Sequence, residues 1–390
     1  MKTIALVYDF DGTLSPGNMQ DFGFIQTVGK NIDDFWAKCT TTAFDNDAST
    51  ILAYMKVMMD EAREANIPLT KELFRKCGEK VAFFRGVTGW FSLINEYGRS
   101  KGVVVEHYIN SSGLREIIEG TPIAREFKKI YACSFFYDSA GIAEFPAVAI
   151  DYTNKTQFLF KINKGIESIA DNKAVNEYLP ENERPVPFRQ MIYFGDGETD
   201  IPCMQLVKQQ GGNSIAVYHP ESQQKRAYAE KLIADRRVNF VCPADFSENS
   251  KIFSVVTEII DDIAEYLAFF DDEAYFFKTR LPARLSGLPV DLWLNDTRFE
   301  DVDDSKHLII KFQKNKNKEW THGDFIPMSI DDHPVILKKY TKNVEISDKE
   351  IEEIRQWVID NKENLIRLAN EEIDILEFLE VIKVKLNKKK

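Results

Sequence analysis

Short apolar runs that alternate with helical patterns constrain the fold of this chain more than any other feature. The runs are nearly continuous, as is typical of strands buried on both faces of a sheet. They are TIALVY (3–8), VVVEHYI (103–109), KIYACSFF (129–136), MIYF (191–194), SIAVY (214–218) and NFVC (239–242). Strands separated by helices favour an α/β fold, a doubly wound parallel sheet with helices on both faces.

Two segments interrupt this alternation. Residues 17–102 carry helical spacing and few strand signals, which predicts a helical insertion directly after the first strand. The segment FFYDSAGIAEFPAVAID (135–151) predicts a hairpin, because two apolar runs flank a Ser-Ala-Gly turn. The α/β core is therefore expected in residues 1–16 and 103–265.

The pattern changes after about residue 270. Short runs with turn residues between them predict strands at FFKTRL, PVDLWLND, HLIIKFQ, DFIPMSI and PVILKKY. A long amphipathic helix is predicted over 347–369, because Ser347 and Glu350 form a capping box at its start. A final helix is predicted in EEIDILEFLEVIKVKL. We therefore expect a separate α+β domain over 275–390.

Composition excludes some classes of function. The net charge of −12 disfavours a general nucleic-acid binder, since such binding depends on neutralising phosphates. The lysine-rich segment KFQKNKNK (311–318) is a local exception, and the C-terminal domain can bind a protein partner, bind nucleic acid or simply be a stable appendage.

Cysteine usage and hydropathy indicate a location. The five cysteines are scattered and form no C-x-x-C pair, which is typical of free thiols in a reducing compartment. The first apolar run is too short for a signal peptide, and no stretch approaches the ~18 apolar residues of a membrane span. A cytoplasmic protein without a membrane segment is expected.

The first strand ends in two carboxylates. In VYDFDGTLSPG (7–17), Asp9 and Asp11 follow the apolar run, and Gly12 permits a tight turn. The C-terminal edge of a parallel sheet is where ligands bind. Two like charges placed there need a cation, and Mg²⁺ prefers carboxylates, water and phosphate oxygens. The simpler alternative is a strand end with solvated aspartates.

Further strand ends carry matching chemistry. In INSSG (109–113), Ser111 or Ser112 can bond a phosphoryl oxygen, and the alternative is an ordinary helix cap. In GDGETD (195–200), Asp196 can complete a metal site with Asp9, and Asp200 can hold a metal-bound water or position a lysine. The alternative there is a glycine turn with an acidic cap.

One lysine near these acids would offset their charge and stabilise a transferring phosphoryl group. The segment TNKTQFLFKINKG (153–165) offers three: Lys155, Lys161 and Lys164. The residues alone do not choose between them, and most lysines are solvated.

Taken together, these motifs make the chain resemble the haloacid dehalogenase-like superfamily, in particular its phosphoserine-phosphatase-like branch. DFDGT, INSSG, KTQFLFKI and GDGETD match the four motifs of that family in order. The resemblance covers roughly residues 1–265. It implies a Mg²⁺-dependent phosphatase that acts on a small phosphorylated metabolite.

The resemblance also implies a role for each motif residue. Asp9 would be the nucleophile that forms an aspartyl-phosphate, and Asp11 would be the general acid and base. Ser111, preferred over Ser112 and followed by Gly113, would bind the phosphoryl group, and Lys155 would neutralise charge. The remaining assignments concern Mg²⁺: its ligands would be Asp9, Asp11 through its backbone carbonyl, and Asp196. Asp200 would support a metal-bound water or Lys155.

The helical insertion 17–102 resembles the C1 cap of the family, which would choose the substrate. Phosphoserine-specific members use a cap glutamate and arginine, for which the candidates are Arg85 and the acids around Glu61. Phe83, Phe84 and Trp90 are expected in the core more than at the substrate. Two alternatives stay open: a phosphotransferase with the same intermediate, and a regulatory protein whose C-terminal domain binds a partner.

Overall fold

A mixed seven-stranded sheet organises the first of two compact units, Met1–Ala264 and Glu265–Lys390. The computed structural model of the protein describes residues 2–180, 183–271, 277–281, 286–288, 290–300, 306–313, 326–336, 346–370, 372–373 and 377–382. The strands of this sheet are β1 (Thr3–Tyr8), β2 (Val104–Leu114), β3 (Phe127–Tyr137), β4 (Ala143–Val148), β5 (Met191–Gly195), β6 (Asn213–Tyr218) and β7 (Phe240–Pro243). Each strand contains or overlaps one predicted apolar run or hairpin arm.

The strands lie in the order β4-β3-β2-β1-β5-β6-β7. All neighbours pair in parallel except β3 and β4, which form the antiparallel arms of the predicted hairpin at one edge. β1 is buried along nearly its whole length, as a central strand covered on both faces must be. The predicted doubly wound α/β sheet is confirmed, with this one antiparallel strand added.

Helices cover the sheet and fill the insertion after β1. They are α1 (Phe24–Thr27), α2 (Ile32–Asp45), α3 (Thr50–Glu64), α4 (Lys71–Gly78), α5 (Val87–Ser100), α6 (Arg115–Ile118), α7 (Lys155–Lys164), α8 (Asn172–Asn176), α9 (Ile201–Gln209), α10 (Gln223–Ala234) and α11 (Lys251–Asp271). Short 3₁₀ turns lie at Met19–Phe22, Ala124–Glu126, Tyr152–Asn154, Phe188–Gln190 and Glu198–Asp200. Within the described residues, no helix combines the length and the apolar character needed to cross a membrane.

The last helix of the insertion belongs to the sheet layer. In α5, the indole Nε1–H of Trp90 donates to the hydroxyl of Tyr8 at 2.8 Å, and Phe91 packs edge-on against His107 with ring centroids 5.0 Å apart. Tyr8 and His107 are on β1 and β2, so α5 covers the centre of the sheet. The predicted cap segment 17–102 is therefore too long at its C-terminal end, because burial of the apolar face of α5 places that helix on the core.

The second unit contains an antiparallel sheet and a long helix. The strands β8 (Phe277–Leu281), β9 (Asp291–Glu300), β10 (Lys306–Gln313) and β11 (Ile326–Ser329) lie in the order β11-β10-β9-β8. The helix α12 (Asp348–Ala369) begins at the predicted capping box, in which the Glu350 N–H donates to Ser347 Oγ at 3.3 Å. Residues 377–382 form a further helical segment. An α+β architecture is present in this unit.

Apolar side chains of both element types form the core of this second unit. Phe312 and Met328 of the sheet and Ile354 and Val358 of α12 are fully buried in it. Of the lysine-rich segment 311–318, residues 314–318 lie outside the described residues, as do residues 337–340 of the last predicted strand.

Candidate active site

The candidate site lies where three neighbouring strands end. β1 is the middle strand between β2 and β5, and the register places Tyr8 level with Ile109 and Phe194. The Asp9 N–H donates to the carbonyl oxygen of Phe194 at 2.8 Å, so the pairing continues one residue past β1. The acidic, serine and glycine motifs that follow these strands therefore share one edge of the sheet.

A fully buried lysine joins two of the carboxylates. Lys155 Nζ donates to Asp9 Oδ1 at 2.9 Å and to Asp200 Oδ1 at 2.6 Å. The side chains of Lys155 and Asp200 have no exposed surface, whereas that of Asp9 keeps 8%. Asp200 Oδ1 also accepts the hydroxyl hydrogen of Tyr193 at 2.8 Å. Asp9 is thus the member of this group that a ligand can reach.

The other two lysines of the motif point elsewhere. Lys161 Nζ donates to the carbonyl oxygens of Ser168 and Asp171, at 3.0 and 2.8 Å. Lys164 Nζ donates to the carbonyl oxygens of Val175 and Glu177. Both lysines stabilise the chain after α7, and Lys155 alone of the three reaches the acidic cluster.

Three carboxylates come close enough to hold one cation. Asp9, Asp196 and Asp200 each offer an oxygen, and these atoms all lie within 4.8 Å of one another. Burial, together with the charge of Asp200, raises the pKa of Asp9 to about 7 against the opposing pull of Lys155. Burial also raises the pKa of Asp196, and Lys225, whose Nζ lies 2.9 Å from Asp196 Oδ2, offsets part of this effect.

This donor set fits a hard divalent cation. Carboxylate oxygens are the ligands that Mg²⁺ prefers, and a cation would offset both the burial and the mutual repulsion that raise these pKa values. The carboxylate of Asp11 is not part of this cluster, and a role of its backbone carbonyl towards the metal stays a prediction. A divalent cation would attract the Asp196 carboxylate more strongly than the singly charged Lys225 does.

Gly12 allows Asp196 to approach the loop after β1. Its φ is +76°, and a Cβ built there would lie 2.4 Å from Asp196 Cγ. That distance is far inside van der Waals contact, and the left-handed conformation disfavours other residues as well. Glycine is therefore required at this position for two reasons: the backbone is left-handed, and a side chain would collide with the Asp196 carboxyl group.

Asp11 also lines the cavity. Its Oδ1 accepts the backbone N–H of Met19 at 2.9 Å, which fixes the orientation of the carboxyl group. Burial, and then the charge of Asp9, hold the pKa of Asp11 well above its ordinary value. A raised pKa lets a carboxyl group hold its proton to higher pH, which suits a donor to a leaving oxygen.

The serine motif presents two hydroxyl groups at the end of β2. Ser111 Oγ accepts the N–H of Gly113 at 3.0 Å, so its own hydrogen stays free to donate. Ser112 Oγ is buried and has no hydrogen-bond partner within the described part of the chain. Ser111, Ser112 and Gly113 all line the cavity that Asp9 and Asp11 face. The sequence favoured Ser111, and the structure supplies the neighbouring hydroxyl as well.

The cavity has a volume of about 440 Å³. One wall carries Asp9, Asp11, the serine motif and Asp196. A second part of the lining comes from the insertion after β1. The name cap wall is used here for five of its residues: Gln20, Asp21, Trp36, Ile51 and Tyr54. Phe84 and His219 also line the cavity, with ring centroids 5.3 Å apart. Sequence reasoning missed the cap wall, because no motif marks its residues.

The two cap residues proposed for amino-acid recognition do not reach the cavity. Glu61 is buried in the insertion, where its carboxylate pairs with Lys30 at 2.6 Å and Lys38 at 2.7 Å. The Arg85 side chain is 80% exposed, and its nearest acidic partner is Asp245 at 3.6 Å. Both candidates are therefore wrong as cavity residues, since the packing of the insertion points them elsewhere.

Of the three aromatic residues expected in the core, two lie away from the cavity and one lines it. Trp90 is fully buried on the inner face of α5, and Phe83 packs against Phe10 with ring centroids 6.2 Å apart. Phe84, in contrast, lines the cavity.

Comparison with known proteins gives the family. The model of the haloacid dehalogenase-like hydrolase family matches residues 6–205, slightly more than half of the chain. The chain belongs to this family. The expected resemblance is confirmed at that level, and the matched range contains Asp9, Asp11, Ser111, Lys155 and the GDGETD motif of the hydrolase.

Individual relatives of this hydrolase are distant. An uncharacterized protein of Borreliella burgdorferi is 28% identical over 284 residues, which cover 66% of this chain and 96% of that protein. A hydrolase of the same family from Salmonella enterica serovar Typhi is 12% identical over 69% of this chain and 72% of its own, with a TM-score of 0.43. A substrate-bound phosphoserine phosphatase is 14% identical over 66% of this chain and 99% of its own, with a TM-score of 0.41.

Proposed function

We propose that this hydrolase is a Mg²⁺-dependent phosphatase that cleaves a small phosphomonoester through a covalent aspartyl-phosphate on Asp9. One observation carries the proposal: Asp9, the reachable carboxylate of a buried group with Lys155 and Asp200, faces the same cavity as the carboxyl of Asp11. A nucleophile and a proton donor that line one cavity are what a double displacement requires.

In the first step, an oxygen of Asp9 attacks the phosphorus, and the bond from phosphorus to the ester oxygen breaks. Asp11 gives its proton to that departing oxygen, which leaves as an alcohol. Lys155 fixes Asp9 through Oδ1 at 2.9 Å, so the carboxylate meets the phosphorus in one orientation. The hydroxyl groups of Ser111 and Ser112 are placed to donate to phosphoryl oxygens.

In the second step, Asp11, now ionised, takes a proton from a water molecule that attacks the phosphorus of the aspartyl-phosphate. The bond between phosphorus and the Asp9 oxygen breaks, inorganic phosphate leaves, and both carboxyl groups return to their first state. A Mg²⁺ ion held by Asp9 and Asp196 would supply positive charge for the phosphoryl oxygens. Asp200 positions Lys155 throughout.

The test is phosphate release from a panel of phosphorylated metabolites, with Mg²⁺ and with a chelator. We expect release that needs Mg²⁺ and that Asp9→Asn abolishes while the fold is kept. Asp34→Asn is the matched control, because it removes an exposed carboxylate of the insertion. Acid quenching followed by mass spectrometry should find the phosphoryl group on the peptide with Asp9. Near-native activity of Asp9→Asn would refute the mechanism.

The same panel separates hydrolysis from transfer. With alcohols added as acceptors, we expect free phosphate and no new phosphate ester. A new ester that forms in proportion to the alcohol would identify a phosphotransferase, since the aspartyl-phosphate would then pass its group to the alcohol.

A further inference from the structure

The cap wall faces the part of a substrate that lies beyond the ester oxygen. It lines the same cavity as Asp9 and Asp11, so the leaving group of a phosphoryl group held at Asp9 lies in the cavity that this wall lines. The chemistry of the cap wall should therefore select the leaving group. This step rests on the phosphatase function proposed above.

Asp21 is a carboxylate of the cap wall that lacks a cationic partner. Its Oδ1 accepts the indole N–H of Trp36 at 2.8 Å, and no lysine or arginine of the described residues forms an ion pair with it. The buried acid Glu61 in the same insertion shows the contrast, since Lys30 and Lys38 both neutralise it. A half-buried carboxylate without such a partner attracts a cation from the cavity.

One aromatic ring, Trp36, contacts this carboxylate, and a second, Tyr54, lies against Trp36. Trp36 and Tyr54 lie edge to face, with ring centroids 6.2 Å apart. The hydroxyl of Tyr54 donates to the carbonyl oxygen of Ser112 at 2.8 Å, which ties this ring to the phosphate end of the cavity. The faces of such rings carry negative charge density and bind cations. The carboxylate and the two aromatic rings therefore all favour a positively charged group.

Gln20 provides an independent sign of a hydrogen-bond donor in the ligand. Its side chain is 2% exposed and lines the cavity, yet its Oε1 has no hydrogen-bond partner in the described part of the chain. A buried carbonyl oxygen without a donor is costly. An N–H group of a ligand in the cavity would satisfy it.

We propose that the leaving group selected by the cap wall carries an ammonium group, so that the substrate is a phosphorylated amino alcohol. Asp21 supplies the counter-charge, Trp36 and Tyr54 supply the aromatic faces, and Gln20 accepts an N–H. The basic residues that line the cavity are His219 and Lys225, and Lys225 already pairs with Asp196. Since no arginine among the described residues lines the cavity, an additional carboxylate on the leaving group gains no bidentate partner.

The test compares O-phosphoethanolamine with two relatives. In n-propyl phosphate a methyl group replaces the ammonium group, and O-phosphoserine carries an additional carboxylate. Their dissociation constants are measured by calorimetry on the Asp9→Asn protein with Mg²⁺, so that binding is read without turnover. A charge-assisted hydrogen bond predicts that O-phosphoethanolamine binds roughly tenfold or more tightly than n-propyl phosphate. O-phosphoserine should bind no more tightly than O-phosphoethanolamine.

Adding Asp21→Asn to this protein should bring the affinity ratio of O-phosphoethanolamine to n-propyl phosphate close to one. Asp34→Asn, which removes an exposed charge from the same insertion, should leave the ratio in place. Equal affinities before the Asp21 change or a preference for O-phosphoserine would overturn the inference. Turnover by the unmodified enzyme across the panel reports separately on the phosphatase function. A failure of the proposed substrate class is therefore distinguishable from a failure of the proposed phosphatase function.

Discussion

Lys155 Nζ lies 2.9 Å from Asp9 Oδ1 and 2.6 Å from Asp200 Oδ1, with no part of its side chain exposed. Burial alone would lower the pKa of this ammonium, but the charges of Asp200 and Asp9 outweigh it and raise the pKa above its ordinary value. Lys155 therefore stays charged inside the protein and holds two carboxylates that would otherwise repel each other.

Lys155→Met should abolish most activity and destabilise the fold. Removing one partner of a buried charge group costs roughly 3–5 kcal/mol, and losing the charge beside the phosphoryl group should lower kcat by about a hundredfold or more. Lys161→Met is the matched control, because Lys161 is equally buried on the same helix but bonds only backbone carbonyls. Thermal unfolding and activity per folded protein give the answer, and near-native kcat in folded Lys155→Met would contradict this role.

Gly12→Ala should weaken Mg²⁺ binding through displacement of Asp196. The added Cβ would meet the Asp196 carboxyl at 2.4 Å, and the positive φ adds strain of roughly 1–2 kcal/mol. Gly29→Ala separates the two effects, since Gly29 has a φ of +70° and a Cβ added there would meet no atom within 4 Å. Calorimetric titration with Mg²⁺ should show weaker binding in Gly12→Ala alone. Equal Mg²⁺ affinity in both variants would mean that Asp196 is not a ligand.

Asp11→Asn should reveal which steps need a proton. An alkyl phosphate requires protonation of its leaving oxygen, so its cleavage should fall by about 10²–10⁴-fold. p-Nitrophenyl phosphate leaves without a proton, but the aspartyl-phosphate still needs a base for its hydrolysis. Rapid mixing should therefore show a burst of nitrophenol equal to the enzyme, followed by slow turnover. Equal losses on both substrates without a burst would rule out Asp11 as the acid.

The sequence predicted those parts of the site that strand ends determine. Asp9, the serines and Asp196 follow apolar runs, and parallel strands bring their ends to one edge whatever the helices do. Lys155 was chosen from three lysines only through the family motif, because helical spacing alone does not say which of them faces the sheet. The cap wall was not predicted, since Asp21, Trp36 and Tyr54 meet through the packing of separate helices.

The error at Glu61 and Arg85 has the same origin. Their residue types suit amino-acid recognition, but the direction of a side chain on an inserted helix depends on contacts distant in sequence. Lys30 and Lys38 hold Glu61 inside the insertion, and the backbone before α5 turns Arg85 to solvent. Residue type alone therefore predicts the position of a side chain relative to the cavity less well in the insertion than at the strand ends.

His107→Gln should remove part of the acid sensitivity of the fold. His107 is buried, accepts from the hydroxyl of Tyr8 at 3.0 Å and donates to Asn95 Oδ1 at 3.1 Å, as a neutral imidazole does. Burial lowers the pKa of His107 to about 3, whereas an unfolded histidine titrates near 6.5. Below pH 6.5 the unfolded chain therefore binds a proton at this histidine, whereas the folded chain does not. The free energy of unfolding consequently falls by roughly 3 kcal/mol by pH 4. Denaturant unfolding between pH 8 and pH 4 should show a shallower decline in His107→Gln than in the exposed control His333→Gln, and parallel curves would contradict a buried neutral His107.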